Sequence, residues 1–199
     1  FGVDFFKSDY RAIGNNWSQV KYHNIASQNI IEPFGIFEFN HSSNKKIDYE
    51  IGFRYHYYEL DTDNYTTKTS LSSDDRQNYA WSLGANYNLQ NGQKLFSHVS
   101  RSYRSPRLDE IISLISPSPG HTHIDHQYSN DIELGYELIE KKQRYKASIF
   151  RTLIKNQIYL NQTTLNNENF DPSIHQGLEI EFDQSINNNL NLKSNATFI

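Results

Sequence analysis

The chain consists of amphipathic segments joined by connections that are alternately long and short. Long connections are predicted at residues 10–27, 61–76, 104–128 and 161–174, and short turns at residues 41–46, 90–93, 140–143 and 185–188. A soluble β-sandwich has turns at fairly even spacing. An up-and-down membrane barrel instead has short turns on one side of the membrane and long loops on the other. This rhythm therefore favours a barrel that crosses a membrane.

Four segments show a strict two-residue alternation of apolar and polar residues. Their apolar positions are Ile47, Tyr49, Ile51, Phe53, Tyr55 and Tyr57; Tyr79, Trp81, Leu83, Ala85, Tyr87 and Leu89; Ile132, Leu134, Tyr136 and Leu138; and Leu178, Ile180 and Phe182. Every charged residue of these segments falls on the opposite face. A charge that faces lipid at the midplane costs roughly 2–4 kcal/mol, which explains this segregation. With weaker strands at 1–9, 28–40, 93–103, 144–160 and 189–199, the pattern predicts about nine strands.

Composition agrees with strands that are apolar on one side only. The chain has 14 Tyr and 12 Phe, yet only 36% of its residues are hydrophobic. No apolar run approaches the ~18 residues of a membrane-spanning helix. We therefore predict an all-β fold, an antiparallel up-and-down transmembrane β-barrel. A soluble antiparallel sheet remains an alternative; it explains the alternation within strands but not the alternation between connections.

Several classes of function are disfavoured by what the sequence lacks. Without cysteine there can be no disulfide framework, thiol nucleophile or Cys-ligated zinc. A net charge of −4 with no basic stripe argues against a nucleic-acid partner. The serines and histidines fall in segments predicted to be solvated, without the context of a catalytic triad, so we do not expect an enzyme. Because the chain begins at Phe1 and has no Met, we expect it to be an internal piece of a longer protein.

The sequence His-Thr-His-Ile-Asp-His at residues 121–126 supports three interpretations. It matches the H-x-H-x-D-H zinc motif of metallo-β-lactamase-fold hydrolases, but a Pro- and Ser-rich segment precedes it and a predicted barrel strand follows. Its imidazoles alternatively contact a metal or metal complex in a loop. In the third interpretation the histidines are polar residues of a solvated loop. The candidate ligand-binding residues are His121, His123, Asp125 and His126, and the identity of any metal stays unknown.

Five short motifs in order resemble the barrels of TonB-dependent receptors. The first motif consists of Tyr103, Arg104, Ser105, Pro106 and Glu110, which resemble the family's F-R-[AS]-P-x-x-x-E-[LI] pattern. The second is the segment with Glu133 and Gly135, which resembles the family's Y-E-L-G strand. The other three resemblances are a G-x-R-Y strand at 51–55, a strand at 156–158, and an N-x-D-P segment at 169–172 followed by Gly177 and Glu179. The resemblance covers most of residues 30–199.

This resemblance implies that residues 1–199 are a partial barrel domain from a barrel of about 22 strands. The plug domain, the TonB box and the terminal strands would lie outside the chain, and the four long connections would face outwards. It implies an integral outer-membrane receptor of a Gram-negative bacterium, which contacts lipid and works with the TonB complex through the plug. The expected cargo is an iron–siderophore complex, with haem, cobalamin, zinc or a glycan as further options, and no cofactor is expected. The alternatives are a passive porin-like barrel, the zinc hydrolase, and a soluble or adhesive β-protein.

Two further expectations concern the faces of the predicted wall. Inward-facing carboxylates are expected to line the lumen or touch the plug; they are Asp131, Glu133, Glu179 and Glu181. Aromatic residues beside the 61–76 connection are expected to form the outer girdle, where rings sit between lipid and headgroups. These are Tyr55, Tyr57, Tyr58, Tyr79 and Trp81.

Overall fold

A computed structural model of the chain describes residues 1–15, 21–40, 46–64, 69–111, 124–164, 166–187 and 189–199. The strands are β1 (Gly2–Asn15), β2 (Lys21–Asn40), β3 (Ile47–Asn64), β4 (Thr69–Asn88), β5 (Gln93–Arg104), β6 (Gln127–Glu140), β7 (Gln143–Lys155), β8 (Gln157–Asn161), β9 (Asn166–Phe170), β10 (Ser173–Asn187) and β11 (Leu190–Phe198). One short helix, α1 (Leu108–Ile111), follows β5. No helix within these ranges is long and apolar enough to cross a membrane.

Nine of the strands form one antiparallel sheet in the order β1-β2-β3-β4-β5-β6-β7-β10-β11, and β8 and β9 form a separate hairpin. Each strand of the sheet therefore pairs with the strand next to it along the chain, apart from the inserted hairpin. This confirms the predicted all-β, antiparallel, up-and-down architecture and the number of strands. In the described residues the sheet is open, with β1 and β11 as its two edges.

The two faces of the sheet differ as the alternation predicts. Apolar side chains stand exposed on one face, which we call the outward face; Phe53 is 51% exposed, Leu83 46% and Leu134 48%. The intervening positions carry most of the charged groups and form the inner face. Because successive side chains on a strand point to opposite sides, one period-2 pattern supplies both faces.

The predicted Asn-Gly turn is confirmed. Asn91 and Gly92 both have positive φ, 59° and 74°, and the amide of Leu89 donates to the carbonyl of Gln93 at 2.9 Å. Two positive φ values are typical of the tight hairpin turn that suits twisted strands. A Cβ at Gly92 would lie 2.1 Å from the carbonyl oxygen of Ile139. Glycine is therefore required here both for its conformation and for space.

Two of the predicted long loops are largely strand. β1 and β2 continue to Asn15 and from Lys21, and β3 and β4 continue to Asn64 and from Thr69, with antiparallel pairing up to those residues. The interpretation of 10–27 and 61–76 as irregular loops was therefore wrong. Beyond the apolar band the sequence no longer alternates apolar and polar residues, and the backbone ladder continues without that mark.

The predicted strand at 144–160 is interrupted. Asn156 has a φ of 54°, a left-handed conformation that Asn tolerates better than most residues, and it separates β7 from β8. β8 leaves the sheet and pairs with β9, so the predicted 161–174 loop is in part a hairpin. The periodicity missed the break because the apolar residues on either side of Asn156 continue the pattern.

Candidate functional site

A group of polar side chains lies on the inner face of β1, β2 and β3 and at the end of β5. We call it the inner cluster; its members are Asp4, Glu32, Arg54, His56, Tyr103 and Ser105. It forms where the β2–β3 ladder is interrupted, between the pairs Ile31–Tyr57 and Phe34–Arg54. Pro33 lies in this gap, and proline has no amide hydrogen to offer a ladder.

Glu32 is the centre of the inner cluster. One carboxylate oxygen accepts a hydrogen bond from the Tyr103 hydroxyl at 2.9 Å and lies 2.6 Å from Nδ1 of His56. The other accepts from the Arg54 guanidinium at 2.8 Å, and Arg54 also reaches Asp4 at 3.1 Å. Since His56 is only 3% exposed, its ring is fixed in place by these contacts. The carboxylate therefore joins two strands of the wall to the end of β5.

Ser105 extends this network into the β5–β6 connection. Its hydroxyl lies 2.9 Å from Nε2 of His56, so Ser105, His56 and Glu32 follow the hydrogen-bond order of an acyl-transfer triad. The sequence did not predict this arrangement. Glu32 is shared with Arg54 and Tyr103, so its charge is balanced by a permanent cation beside it. The network is therefore suited to holding the start of the connection against the wall.

The family-motif residues after β5 build the turn that seats α1. Arg104 forms an ion pair with Glu110, and the other oxygen of Glu110 accepts from the backbone amide of Arg107 at 2.8 Å. Pro106, between them, is fully buried. The carboxylate of Glu110 thus closes the helical turn onto the residues that precede it. Tyr103 and Ser105 of the same motif belong to the inner cluster. This short segment therefore contacts the wall through Tyr103 and Ser105, and is closed on itself by Glu110.

An apolar cluster fixes α1 against the inner face. Leu108 and Ile111 of α1 pack with Ala26 of β2 and with Tyr58 and Leu60 of β3, all of them buried. Tyr58 is 1% exposed on the inner face, so its assignment to the outer girdle was wrong. It follows Tyr57 directly and must point to the other side of the strand. Tyr79 and Trp81 stand exposed on the outward face, as a girdle requires.

The predicted histidine site is only partly described. His121 and His123 lie outside the described residues. Asp125 is exposed, whereas His126 is 5% exposed and its ring centroid lies 5.4 Å from that of Tyr58 and 6.4 Å from that of His56. His126 is therefore part of the covering of the inner face, and the interpretation of it as a solvated loop residue was wrong.

The residue before Asp125 is attached to a neighbouring strand. Ile124 is 2% exposed, and its carbonyl accepts a hydrogen bond from Arg76 of β4 at 2.7 Å. Both described ends of the β5–β6 connection, 105–111 and 124–126, thus lie against the inner face. Among the described residues no group of three or more His, Cys, Asp or Glu side chains is placed to hold a metal ion.

The β8–β9 hairpin contacts the same connection. Asn169 bonds the backbone of Asp125 twice, and Asn167 donates to the carbonyl of Glu110 at 3.1 Å. Within the hairpin, Asn161 and Thr164 donate to Glu168 at 2.9 and 2.7 Å, and these donors lower the pKa of that carboxyl below its usual value. The hairpin is therefore stabilised by its own hydrogen bonds, and it contacts both described ends of the β5–β6 connection.

The sequence comparison with protein families decides the assignment. The model of the TonB dependent receptor-like β-barrel matches residues 1–199, the whole chain. The chain belongs to this family. The comparison with curated protein sequences finds no match.

Solved structures of similar fold agree with a TonB-dependent receptor barrel. The ferric-catecholate import receptor Fiu from K12 E. coli is 14% identical with a TM-score of 0.64, and 98% of this chain covers 34% of that one. The copper transporter OprC is 12% identical with a TM-score of 0.70, covering 98% and 33% of the two chains. The ferric yersiniabactin uptake receptor FyuA from Yersinia pestis is 12% identical with a TM-score of 0.67, covering 98% and 31%. The chain thus spans about a third of the length of these structures.

The remaining motif residues of this TonB-dependent receptor lie on the wall of β6, β7 and β10. Glu133 pairs with Lys146 at 3.6 Å, while Gly135 gives room to the ring of Phe96. Gly177 and Glu179 lie on β10, where a Cβ at Gly177 would lie 2.1 Å from the carbonyl of Phe198. Among these residues, Glu133 forms an ion pair, and the two glycines leave room for neighbouring groups.

An ion-pair network covers the other end of the same wall. Arg144 contacts Glu137, Glu181 and Asp183, at 2.5, 2.9 and 3.4 Å respectively, and Lys94 contacts Glu137 at 2.6 Å. The network joins four neighbouring strands, β5, β6, β7 and β10. Because the positive and negative charges of the network largely balance, the charged side chains at this end of the wall are paired with one another.

Sequence analysis missed the central residues of the site, Glu32 and His56. Arg54 and Asn169 fell within recognised motifs but were given no role. A usable signal existed for Glu32, because a charged residue directly before a proline in a strand marks a break in the ladder. No comparable signal was present for His56, which occupies an ordinary polar position of an alternating strand.

Proposed function

We propose that this chain is part of an outer-membrane receptor that takes up a scarce nutrient, most simply as a small metal chelate, with energy delivered through TonB. The observation that carries the proposal is the family match over all 199 residues. Solved structures of similar fold include receptors for ferric catecholate and ferric yersiniabactin and a copper transporter. An iron–siderophore complex is accordingly the first cargo to test, and the outer membrane of a Gram-negative bacterium is the proposed location.

The inner face supports this proposal. The described ends of the β5–β6 connection lie against the inner face of β1–β4 and are held by the inner cluster, the apolar cluster and Arg76. A loop held inside a barrel narrows the passage and places loop residues in the path of a solute. Wide passive channels instead need an open lumen. The family match over residues 1–199 favours a receptor over a passive porin-like barrel, and the held connection agrees with it.

The deciding experiment is transport by the full-length protein in the bacterium that encodes it. The gene is deleted, and uptake is measured with and without a functional TonB, using radiolabelled iron for a panel of ferric siderophores and haem and radiolabelled copper for free copper. We expect uptake of one chelate to disappear when the gene is deleted, and to disappear equally when TonB is not functional. Uptake that persists without TonB would instead indicate a passive barrel, and an unchanged deletion strain across the panel would contradict the proposed cargo class.

We further propose that His121, His123 and Asp125 contact the cargo, whereas His126 holds the connection in place. Replacement of His121 and His123 by Ala is expected to weaken binding of the transported chelate without changing the stability of the barrel. His126→Ala is expected to lower stability, because its ring is buried beside Tyr58. Unchanged binding in the double variant would remove the histidines from the ligand site.

A further inference from the structure

Three hydroxyl groups and one carboxylate form a hydrogen-bonded row on the inner face, where β5, β6 and β7 lie side by side. We call it the hydroxyl row; its members are Ser102, Ser129, Asp131 and Thr152. One carboxylate oxygen of Asp131 accepts from the Ser129 hydroxyl at 2.7 Å, and the other accepts from the Thr152 hydroxyl at 2.7 Å. The hydroxyl oxygens of Ser102 and Ser129 lie 2.8 Å apart.

The direction of these hydrogen bonds follows from the number of hydrogens available. A hydroxyl has one hydrogen to donate, whereas an ionised carboxylate only accepts. Since Ser129 gives its hydrogen to Asp131, the hydrogen between the two serines comes from Ser102. All three hydroxyl hydrogens are therefore used within the row, and only lone pairs are left over. The hydroxyl row thus offers a solute hydrogen-bond acceptors and no donors.

The charge of Asp131 has no cation beside it. No ion pair within the described ranges includes Asp131, whereas Glu133, the next carboxylate along β6, is paired with Lys146 at 3.6 Å. Arg104, further along β5, is paired with Glu110. The strand register directs the other basic residues of this part of β5 and β7 to the outward face; they are Arg101, Arg151 and Lys155. The hydroxyl row is therefore an acceptor surface with one uncompensated negative charge.

The position of the hydroxyl row places it beside the elements that cover the inner face. Gln127, two residues before Ser129, accepts a hydrogen bond from the backbone amide of Ile158 in the β8–β9 hairpin at 3.3 Å. Ser102 is exposed at the other end of the row, and the ladder partner of Thr152 on β10 is the exposed His175. The hydroxyl row is thus open to the interior and lies at the strand ends that lead into the long connections.

We propose that the hydroxyl row binds a protonated amine of the transported chelate. An ammonium group has three N–H donors, no acceptor and one positive charge, so it satisfies the free lone pairs and also balances Asp131. A neutral hydroxyl-bearing group would satisfy the lone pairs but leave the carboxylate without a counter-charge. A bare metal ion is disfavoured, since no group of three or more His, Cys, Asp or Glu side chains is placed to hold one in the described ranges. The inference rests on the proposed uptake function and names the class of cargo, a chelate with a free amine.

The test compares two ferric chelates that differ at one nitrogen. Ferrioxamine B is a trihydroxamate chelate with a free primary amine, and its N-acetyl derivative lacks that positive charge. Uptake of each chelate, labelled with radioactive iron, is measured in the deletion strain that carries the full-length receptor or a variant of it. We expect the wild type to have a roughly tenfold lower KM for the amine form, as one charge-assisted contact predicts. Asp131→Asn should remove this difference by raising the KM of the amine form alone.

Two further variants separate recognition from folding. Asp131→Glu keeps the charge and should keep part of the preference for the amine. Glu50→Gln, which removes an exposed carboxylate near the short-turn end of β3, is the matched control and should keep the wild-type ratio of the two KM values. Heat-modifiable gel mobility shows that each variant is folded. A purely structural role of Asp131 would change the uptake of both chelates alike and leave their ratio unchanged.

Three results would overturn the proposal. The first is equal uptake of the two chelates by the wild type, and the second is a preference for the amine that Asp131→Asn leaves intact. The third is a transported chelate that is anionic and has no amine, such as a ferric tris-catecholate. A deletion strain that loses no chelate at all would contradict the uptake function itself, and this inference with it.

Discussion

Asp125 and Asn169 hold each other through a reciprocal pair of hydrogen bonds. The backbone amide of Asp125 donates to Oδ1 of Asn169 at 2.7 Å, and Nδ2 of Asn169 donates back to the carbonyl of Asp125 at 3.0 Å. The same Nδ2 also donates to the carbonyl of Asn156, at 2.8 Å, where β7 ends. One side-chain amide therefore joins the β5–β6 connection, the β8–β9 hairpin and the end of the wall.

Asn169→Ala should release the hairpin from the connection. A hydrogen bond of this kind contributes about 0.5–1.5 kcal/mol, so we expect the local opening free energy of residues 124–128 and 157–170 to fall by about 1–2 kcal/mol. Amide hydrogen exchange of the full-length protein in detergent measures this. Gln162→Ala, an exposed position of the same hairpin, is the control and should leave exchange unchanged. Equal protection in both variants would show that the amide contributes nothing to docking.

Glu32→Gln should destabilise the wall around His56. The variant loses the negative charge that faces Arg54 and His56, while most of the cluster stays shielded from water. Removing one partner from a partly buried ion-pair network leaves the others uncompensated, and we expect a loss of about 2–4 kcal/mol in urea unfolding. Glu38→Gln, on an exposed position of the same strand, is the matched control and should change stability by less than about 0.5 kcal/mol. Similar values for the two variants would contradict the central role of Glu32.

Gly135→Ala should lower the free energy of unfolding, and the ring of Phe96 should set the size of that loss. A Cβ at this position would lie 2.2 Å from the end of the Phe96 ring and 2.8 Å from the carbonyl oxygen of Ala147. Overpacking of this kind costs about 1–3 kcal/mol. Gly84→Ala, where the nearest atom is 3.7 Å away, should be tolerated. In the double variant with Phe96→Ala, the cost of Gly135→Ala should shrink, and full additivity in thermal unfolding would argue against the ring as the obstacle.

The β8–β9 hairpin should loosen in acid. Hydrogen bonds from Asn161 and Thr164 keep the pKa of Glu168 below its usual value in the folded hairpin. A lowered folded-state pKa means that the stabilisation is present above the pKa of the free side chain and is lost as the pH falls through the folded value. Residues 1–199 contain no cysteine, so in a full-length protein whose other cysteines have been replaced, a spin label at Gln162→Cys reports hairpin mobility alone. Mobility should rise below about pH 4.5 in the wild-type background, whereas Glu168→Gln should be mobile at every pH.

The orientation of the wall is open to a direct test with single cysteines. Gln162 lies in the β8–β9 hairpin and Gln90 in the turn between β4 and β5, at opposite ends of the sheet. Long connections are expected outside the cell, so a membrane-impermeant maleimide should label Gln162→Cys on intact cells and label Gln90→Cys only after lysis. The reverse result would invert the assignment of every connection.

The sequence by itself determined the number of strands in the main sheet and which side chains share each face, but not where the strands end. Ile51, Leu83 and Leu134 could be assigned to the outward face because burial of one face imposes a period of two residues on any strand. The Asn91-Gly92 turn was equally local, since its conformation depends on two adjacent residues. Each of these features follows from neighbours in the chain, and a pattern of neighbours is what a single sequence contains.

The tertiary structure alone decided what covers the inner face. Glu32 and Tyr103 are 71 residues apart, and Asp125 and Asn169 are 44 apart, so no local pattern brings them together. His126 stood in a segment whose polarity indicated a solvated loop, yet its ring is buried because the connection turns back onto Tyr58. The strand extensions beyond the apolar band were missed because backbone pairing continues there, and backbone pairing by itself imposes no two-residue alternation on the sequence.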